Sequence, residues 1–351
     1  MPVSVMLKPS SSACNLKCEY CFYTSLADKR DTAFKGYMTE ETAGNVIKSA
    51  LEYANGTEAF FTFQGGEPLL SGIDFFRMFV EKEKALNTGH SKITNCIQTN
   101  ATLINDEWCS FFKQNHILVG VSLDGDKETN SYRIYKDGKE SFDDVMSSIE
   151  LLKKHGVEFN VLSVLTTRLA QNFRKSYRFF KSNGLTYLQY IPCLKAFDED
   201  ESKFAMSADD YAGYLNSAYK LYCNDNLRGV NISIRQFDNY RLLMRGRPAE
   251  QCGMNGFCSE QFVVEGDGSV YPCDFYCVDE YYLGNINSTS FAEMHNSSLY
   301  KEFIKFSYSI DERCKQCQYL SLCRGGGCKR TAVSSDYCEA YKQFFKNIIC
   351  F

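Results

Sequence analysis

Three cysteines lie within eight positions near the start of the chain, in the segment "ACNLKCEYC". They are Cys14, Cys18 and Cys21, with the spacing Cys-x3-Cys-x2-Cys. A cubic four-iron cluster needs four ligands, normally four thiolates, so three thiolates leave one iron open to a small molecule. Catalytic zinc sites keep an open position in the same way, whereas structural zinc sites are closed. The spacing predicts either an open iron–sulfur cluster or a zinc site completed from elsewhere in the chain.

The cysteine content of the whole chain favours metal binding. The 351 residues include 17 cysteines but only four histidines, and the cysteines stand in tight local groups. The first residues, "MPVSVMLKPSSS", contain too short an apolar run for a signal peptide, so we expect reduced thiols in the cytoplasm. Clusters of reduced thiols at ligand spacing indicate metal sites rather than disulfides. All-thiolate sites suit zinc or iron–sulfur clusters.

Charge and hydropathy exclude two classes of partner. The net charge is −4, so no basic field attracts nucleic acid or an anionic membrane surface. No stretch approaches the roughly 18 apolar residues of a membrane-spanning helix. We therefore expect a cytoplasmic protein that binds neither nucleic acid nor membrane.

The elements that would position the cysteines form an alternating pattern over the first 195 residues. Short apolar runs alternate with amphipathic stretches, which predicts parallel strands joined by helices. Asn105 has the features of a helix N-cap, and Gly156 and Gly184 those of helix ends. The pattern suits a doubly wound sheet or an incomplete barrel. The predicted strands are Val3–Lys8, Ala59–Phe63, Ile93–Gln98, Leu118–Leu123, Phe159–Val164 and Leu188–Ile191, and the predicted helices are residues 40–54, 73–86, 106–115, 142–155 and 172–182.

The rest of the chain has a different character. Residues 196–250 are less regular, with one predicted helix over 209–222, and we interpret them as a connecting helical segment. In "FVVEGDGSVYP" two apolar runs flank a glycine-containing turn, which predicts a β-hairpin. Cysteines recur from Cys252 to the end, so we predict a small cysteine-rich domain over residues 251–351.

Four short polar motifs follow predicted strands in the first 195 residues. They are "QGGEP" at 64–68, "QTNAT" at 98–102, "SLDG" at 122–125 and "TT" at 166–167. Parallel α/β barrels build their active sites at the C-terminal ends of the strands. This common placement favours the incomplete barrel over the doubly wound sheet.

The segment "CNLKCEYC", with Tyr20 before the third cysteine, resembles the motif of the radical S-adenosylmethionine (SAM) enzymes. The resemblance implies an α/β fold with a partial (β/α)6 parallel barrel over residues 1–195. It implies that Cys14, Cys18 and Cys21 hold a [4Fe-4S] cluster whose open iron is chelated by the methionine part of SAM. The residues that the resemblance places beside SAM are Tyr20, Phe22, Gly65, Gly66, Glu67, Ser122 and Asp124.

The C-terminal cysteines resemble the SPASM extension of radical SAM enzymes that modify peptides. That resemblance implies two further [4Fe-4S] clusters, although two structural zinc sites are the alternative. One departure is "CRGGGC", which has four residues between its cysteines where the family usually has three. The ligands implied by motif position are Cys252, Cys258, Cys273 and Cys328 for the first cluster, and Cys314, Cys317, Cys323 and Cys338 for the second. The six remaining cysteines, which we expect to be mostly small buried apolar residues, are Cys96, Cys109, Cys193, Cys223, Cys277 and Cys350.

Nearly the whole chain resembles the anaerobic sulfatase-maturating enzymes. The resemblance implies oxidation of a cysteine or serine, in a Cys/Ser-x-Pro/Ala-x-Arg segment of a sulfatase, to Cα-formylglycine. SAM and three [4Fe-4S] clusters would be the cofactors, and the electron donor would be a protein such as flavodoxin or ferredoxin. The resemblance rests on "KPSSSACNLKCEYCFY", "FQGGEP", "QTNATLI", "SLDG", "QYIPCL", "CGMNG" and "QFVVEGDGSVYPCDFY".

The implied mechanism assigns roles to further residues. A 5′-deoxyadenosyl radical takes a hydrogen atom from the target Cβ, an acid–base residue removes the thiol or hydroxyl proton, and the second electron leaves through an auxiliary cluster. Asp274, directly after Cys273, matches the family's base. Tyr23, Gln64 and Gln98 are expected to line the peptide channel.

Departures from the family pattern leave the substrate open. Ala101 stands where the family often has glycine, and Asp126 and Asn130 stand where proline and histidine are common. One alternative is a maturase of a small ribosomal peptide that forms a thioether or carbon–carbon crosslink. Another is a binding protein, without catalytic activity, that zinc or iron–sulfur clusters stabilise. Metal content and colour distinguish the enzymes from the binding protein.

Overall fold

The computed structural model describes residues 1–195, 202–328 and 337–349. The chain divides into two compact units, each built from three segments. The first unit comprises Met1–Ser122, Arg133–Phe159 and Glu260–Phe303. The second comprises Leu123–Tyr132, Asn160–Ser259 and Ile304–Phe351.

Strands and helices alternate along the first half of the chain. The strands, in chain order, are β1 (Val3–Leu7), β2 (Glu58–Phe63), β3 (Lys92–Thr99), β4 (Leu118–Ser122), β5 (Phe159–Leu165), β6 (Tyr187–Pro192), β7 (Ser233–Ile234), β8 (Phe262–Val264), β9 (Ser269–Tyr271) and β10 (Gly284–Asn285). The helices are α1 (Phe22–Ala27), α2 (Glu40–Ala54), α3 (Ile73–Leu86), α4 (Asp106–Gln114), α5 (Phe142–Lys154), α6 (Thr167–Gln171), α7 (Phe173–Ser182), α8 (Ala208–Leu227), α9 (Arg235–Met244), α10 (Phe291–Asn296), α11 (Ser298–Ser307), α12 (Glu312–Lys315), α13 (Leu320–Cys323) and α14 (Cys338–Ile349).

The first unit is built on a largely parallel sheet. Strands β1, β2, β3 and β4 are neighbours in chain order, and each pair is parallel. On the other side β1 pairs in parallel with β8, and the β8–β9 hairpin continues antiparallel to β10. Alternate residues of β2 are buried, and Phe61 and Phe63 meet Phe79 of α3 edge to face. This sheet brings the C-terminal ends of β1, β2 and β8 to one edge.

In the second unit, β5, β6 and β7 pair in parallel. Helix α8 begins with a capping box, in which Ser207 and Asp210 satisfy each other's backbone donors. It buries Tyr211 and Tyr214, and Tyr341 of α14 meets Tyr211 edge to face. Aromatic side chains therefore contribute to the core of this unit, beside aliphatic residues such as Leu165 and Leu215.

Most of the predicted elements are found. Each of the six predicted strands is present, with ends that differ by one residue at most, and the β8–β9 hairpin confirms the turn predicted in "FVVEGDGSVYP". Asn105 caps α4 by accepting from the Trp108 amide, and Gly156 and Gly184 have the left-handed backbone typical of helix ends. The predicted helix at 209–222 is α8, which extends to residue 227, while residues 196–201 of the predicted connecting segment lie outside the described residues. Among the residues that the structure describes, we find no helix that combines the length and the apolar character needed to cross a membrane.

Candidate active site

Three polar side chains form a row at the C-terminal edge of the first unit's sheet. Lys8, Gln64 and Glu265 are the first residues after β1, β2 and β8. The register aligns them, because Leu7 pairs with the last residue of β2 and with the last residue of β8. Backbone amides extend the ladder, since Gln64 donates to the Leu7 carbonyl at 2.9 Å and Lys8 to the Val264 carbonyl at 2.8 Å. The sheet thus fixes the backbone from which these side chains start.

The loop that carries the three N-terminal cysteines is attached to the "QGGEP" turn. The amides of Gly66 and Glu67 donate to the carbonyls of Ser11 (2.9 Å) and Ala13 (2.7 Å). A Cβ on Gly66 would lie 2.0 Å from the Ala13 carbonyl oxygen, so only glycine permits this approach. Gly66 is therefore needed at this position because the backbone of the cysteine loop lies so close to it.

The N-terminal cysteines are compatible with cluster binding. Cys14, Cys18 and Cys21 are all half-buried, and the Cys21 amide donates to the Cys18 carbonyl at 3.1 Å. Burial, reinforced by the nearby charge of Glu67, raises the pKa of the Cys14 thiol to about 11. Iron binding at neutral pH must therefore displace the thiol proton.

Glu67 is fully buried and bonded to the protein. Its carboxylate accepts from the Leu69 amide (3.0 Å), the Thr99 hydroxyl (2.7 Å) and the Asn100 amide (2.7 Å). Burial raises the pKa of this carboxyl to about 7, although the three hydrogen bonds oppose the rise. A carboxylate has about four acceptor positions, and these three hydrogen bonds occupy three of them.

The "QTNAT" segment also reaches the cysteine loop, through residues that the sequence analysis did not select. The side-chain amide of Asn100 (Nδ2) donates to Oδ1 of Asn15 at 2.8 Å and to the Cys14 sulfur at 3.8 Å. Asn15 in turn donates to Thr102 at 2.8 Å. The placement of the motif after β3 was the available signal, and it did not indicate which side chain points to the cysteines.

The other candidates for SAM binding have different surroundings. In the first unit, the Arg133 guanidinium lies over the Tyr20 ring at 5.5 Å, and the Phe22 ring is 5.2 Å from that of Phe275. Ser122 accepts from Gln98 at 2.9 Å. In the second unit, the Asp124 carboxylate accepts from the Val164 amide at 2.8 Å.

Asp274 is the centre of a hydrogen-bonded group of side chains. It follows Cys273 in the short 3-10 turn Asp274–Tyr276 and is 4% exposed. The Tyr23 hydroxyl donates to Oδ2 of Asp274 at 2.6 Å. Nε2 of Gln64 lies 2.7 Å from the Tyr23 hydroxyl and 3.4 Å from the same Oδ2. The structure thus brings together Asp274, Tyr23 and Gln64, whereas Gln98 lies inside β3 and bonds to Ser122.

Behind Asp274 lies a set of buried charges that the sequence analysis missed. Lys8 Nζ is 2.8 Å from Asp274 Oδ1 and 3.5 Å from Glu265 Oε1. Arg30 Nη1 is 2.7 Å from the same Glu265 oxygen. Lys8 Nζ also donates to the Cys277 sulfur at 3.5 Å. Burial raises the pKa of the Cys277 thiol to about 12, although the cation of Lys8 opposes the rise.

Four of the C-terminal cysteines line one cavity in the second unit. Aromatic and apolar side chains, among them Leu320, Tyr341 and Phe345, line the same cavity. Within residues 1–195, 202–328 and 337–349, no group of three or more histidine, cysteine, aspartate or glutamate side chains could hold a single metal ion. A four-iron cluster binds each thiolate to a separate iron, so its ligands surround a wider cage. The cavity brings together the four cysteines predicted for the second auxiliary cluster, Cys314, Cys317, Cys323 and Cys338.

The cysteines predicted for the first auxiliary cluster occur in both units. In the second unit, Gly253 lies against the backbone of Cys328, since a Cβ on Gly253 would be 2.8 Å from the Cys328 Cα. The "CGMNGFC" loop, which contains Cys252 and Cys258, is therefore next to Cys328. In the first unit, Cys273 is buried after β9.

Of the six remaining cysteines, three are buried as expected, namely Cys109, Cys193 and Cys277. Cys96 and Cys223 are half-buried. Cys350 lies outside the described residues.

Comparison with known proteins assigns the family. A family model for the radical SAM superfamily matches residues 9–180, and one for an iron-sulfur cluster-binding domain, SPASM, matches residues 252–318. The cysteine-type anaerobic sulfatase-maturating enzyme of Clostridium perfringens (strain 13 / Type A) is 42% identical over 356 residues, which cover 98% of this chain and 96% of that protein. This chain belongs to the anaerobic sulfatase-maturating enzymes. The serine-type enzyme of Bacteroides thetaiotaomicron is 34% identical over 373 residues, with 99% of this chain and 89% of that protein covered.

Solved structures of this family have the same fold. Native anSMEcpe with bound AdoMet matches with a TM-score of 0.94 and 41% identity, over 99% of this chain and 97% of that one. Native anSMEcpe with bound AdoMet and Cp18Cys peptide matches with a TM-score of 0.93 and 40% identity, with the same coverage. These matches confirm the predicted α/β class, with a partial (β/α)6 parallel barrel followed by a SPASM domain. The prediction of a radical SAM oxidoreductase is also confirmed by the family.

Proposed function

We propose that this chain oxidises a cysteine side chain, in a Cys-x-Pro/Ala-x-Arg segment of a sulfatase, to Cα-formylglycine. The identity to a cysteine-type enzyme, 42% over 98% of the chain, carries the proposal. Identity to a serine-type enzyme is lower, at 34%, and this favours cysteine over serine as the target. The group formed by Asp274, Tyr23 and Gln64 supports the same chemistry, because the reaction needs a base close to the target thiol.

The cysteines that the structure brings together support a proposal for the cofactors. We assign three [4Fe-4S] clusters and SAM to the chain, with Cys14, Cys18 and Cys21 as ligands of the cluster that binds SAM. When bound next to a reduced cluster, SAM would supply the radical chemistry that removes a hydrogen atom from the target Cβ. The other eight ligands are those that the SPASM resemblance implied, Cys252, Cys258, Cys273, Cys328, Cys314, Cys317, Cys323 and Cys338.

Residues of this chain would remove the proton of the target thiol. Asp274 accepts the thiol proton of the target cysteine at Oδ2, the oxygen on which Tyr23 and Gln64 converge. These two side chains orient the carboxylate through its hydrogen bonds. A positioned carboxylate base of this kind contributes typically 10²–10⁴-fold to a rate.

The remaining assignments are also proposals. We propose that residues 1–195 hold SAM, that 251–351 hold the auxiliary clusters and that 196–250 connect them. An electron donor such as flavodoxin or ferredoxin, and a cytoplasmic location, stay predictions.

Mass spectrometry of an anaerobic reaction tests the proposal. Reconstituted enzyme, SAM and a strong reductant are incubated with three matched peptides that carry Cys-x-Pro-x-Arg, Ser-x-Pro-x-Arg or Ala-x-Pro-x-Arg. We expect the cysteine peptide to exchange its sulfur for an aldehyde oxygen, faster than the serine peptide gives the same product, and the alanine peptide to stay unchanged.

Two outcomes contradict the proposal in different ways. If 5′-deoxyadenosine forms while every sulfatase peptide stays unchanged, the substrate is wrong, and a small ribosomal peptide becomes the target to test. A colourless protein that contains zinc, in place of a brown one with about twelve irons per chain, would contradict radical chemistry altogether.

A further inference from the structure

We propose that Lys8 is a positioning residue for the base: its ammonium holds Oδ1 of Asp274, so that Oδ2 stays directed to Tyr23 and Gln64. The two carboxylate oxygens have separate partners. Lys8 Nζ lies 2.8 Å from Oδ1, whereas Tyr23 and Gln64 reach Oδ2 at 2.6 and 3.4 Å. The proposal rests on the proposed function, in which Oδ2 receives the substrate proton.

The fold fixes Lys8 from its backbone outward. Lys8 follows β1, and its amide donates to the carbonyl of Val264 in β8. Gly65, with a φ of +133°, leaves the space for its side chain, because a Cβ there would lie 2.9 Å from the Lys8 Cγ. In the "QGGEP" turn, Gly66 thus permits the close approach of the cysteine loop, and Gly65 leaves space for the aliphatic part of the Lys8 side chain.

Two carboxylates and two cations form one buried group. The side chains of Lys8, Glu265, Arg30 and Asp274 are 1%, 1%, 3% and 6% exposed. Arg30 and Lys8 both contact Oε1 of Glu265, at 2.7 and 3.5 Å. Glu265 therefore holds Lys8 from a second direction, and the lysine is fixed between two carboxylates. Removing one member of such a group leaves an uncompensated buried charge, which is strongly unfavourable.

A lysine suits this position better than an arginine. Lys8 Nζ approaches Asp274, Glu265 and the Cys277 sulfur, and it lies 4.8 Å from the centre of the Tyr23 ring. An ammonium is a compact charge with three donors on a narrow stem, whereas a guanidinium is a planar fork. Arginine would keep the positive charge here, but its planar guanidinium would not place donors toward all three of these partners.

Without the lysine, Asp274 keeps its place in the chain but loses the contact that orients it. A displacement of about 1 Å at a reacting group can reduce a rate about 100-fold. We therefore expect radical formation to continue while proton removal slows. Most turnovers would then consume SAM without modifying the peptide.

The test measures 5′-deoxyadenosine and modified peptide together in wild type, Lys8→Met and Lys8→Arg, with the Cys-x-Pro-x-Arg peptide. Lys92→Met is the matched control, because Lys92 pairs with Glu58 at the other end of the sheet and is mostly exposed. For Lys8→Met we expect 5′-deoxyadenosine within about twofold of wild type and at least about tenfold less product. Lys8→Arg should recover part of the product, and Lys92→Met should equal wild type.

A purely structural role for Lys8 gives a different result. In that case 5′-deoxyadenosine and product fall together, their ratio stays at the wild-type value, and the proposal is wrong. Iron content and circular dichroism report whether each variant folds. If Lys8→Met does not fold, the double variant Lys8→Met, Glu265→Gln removes one charge of each sign, and the same change in ratio is expected.

A second readout is independent of the substrate. Crystal structures of wild type and of the variant that folds give the distance from the Tyr23 hydroxyl to Asp274 Oδ2, which is 2.6 Å here. We expect it to exceed 3.5 Å without Lys8, and an unchanged distance would overturn the proposal. Wild-type enzyme that makes 5′-deoxyadenosine but no product would refute the proposed function alone, since this distance would still decide the role of Lys8.

Discussion

Replacing Gly66 with alanine should separate the cysteine loop from the "QGGEP" turn. The added Cβ would lie 2.0 Å from the carbonyl oxygen of Ala13 and 2.6 Å from its carbon. Ordinary contacts begin at about 3.4 Å, so the two backbones must move apart by roughly 1.4 Å. That shift breaks the two hydrogen bonds that join Gly66 and Glu67 to the loop, now 2.9 and 2.7 Å long. Each contributes about 1 kcal/mol, so the attachment loses roughly 2 kcal/mol.

Iron content and SAM binding measure the consequence. We expect Gly66→Ala to keep its fold but to lose the cluster next to Cys14, which is about four of twelve irons per chain. SAM affinity, measured by equilibrium dialysis, should fall with it, because the residues proposed to bind SAM include Tyr20 near the loop and Glu67 in the turn. Gly44→Ala in α2 is the control, since its Cβ would approach only the end of the Lys82 side chain, at 3.8 Å.

Retention of all the iron and of SAM affinity within about twofold of wild type would refute this reasoning. Such a result would mean that the loop backbone can move away from the added Cβ without displacing the three cysteines. Loss of iron in the Gly44→Ala variant as well would show that the effect is general instability and not the local clash.

Three further predictions test other parts of the molecule. Asp274→Asn should keep SAM cleavage, seen as 5′-deoxyadenosine, but lose most of the product, and product at the normal rate would exclude Asp274 as the base. Burial raises the pKa of Glu83 to about 7, so the folded chain holds a proton that the unfolded chain, with a pKa near 4.5, releases. The free energy of unfolding of the wild type should therefore fall as the pH rises from 4.5 to 7. In thermal unfolding at pH 8, Glu83→Gln should be more stable than wild type by up to about 3 kcal/mol, whereas at pH 4.5 the two should differ little. Gly253→Ala should lose auxiliary iron, because its Cβ would lie 2.8 Å from the backbone of Cys328, while iron at the N-terminal cysteines stays.

The strands and the motifs at their ends could be predicted because each depends on local sequence. Burial alternates along β1, β2 and most of β3, whereas β4 has three consecutive buried residues, and the polar residue after a strand follows directly in the chain. The limits appear at single residues. Gln98 was predicted as the last residue of the third strand, but β3 continues to Thr99. Because successive side chains of a strand point to opposite faces, an error of one residue at a strand end leaves the direction of the side chain there undetermined.

The buried charges behind Asp274 could not be predicted from local sequence. Lys8 and Glu265 lie 257 positions apart in sequence, and they meet because β1 pairs in parallel with the three-residue strand β8. Nothing in "VMLKPS" distinguishes Lys8 from a surface lysine that follows a strand. Tyr23 and Asp274, also distant in sequence, were selected only through the family resemblance. The segments that carry the resemblance contain Lys8 and Glu265 as well, but it assigned neither residue a role.

The extra glycine in "CRGGGC" lengthens the loop that leads to Cys328. Counting residues placed the role of Cys328 in question, because the spacing departs from the family pattern. In the structure all four residues between the two cysteines, from Arg324 to Gly327, have positive φ angles of 49° to 93°. Such a run is costly for residues with a Cβ and routine for glycine, so the glycines permit a tight left-handed turn of this length. At the end of that turn the Cys328 backbone meets Gly253, beside Cys252, and the longer loop therefore still delivers a thiol to the neighbourhood of the proposed ligands.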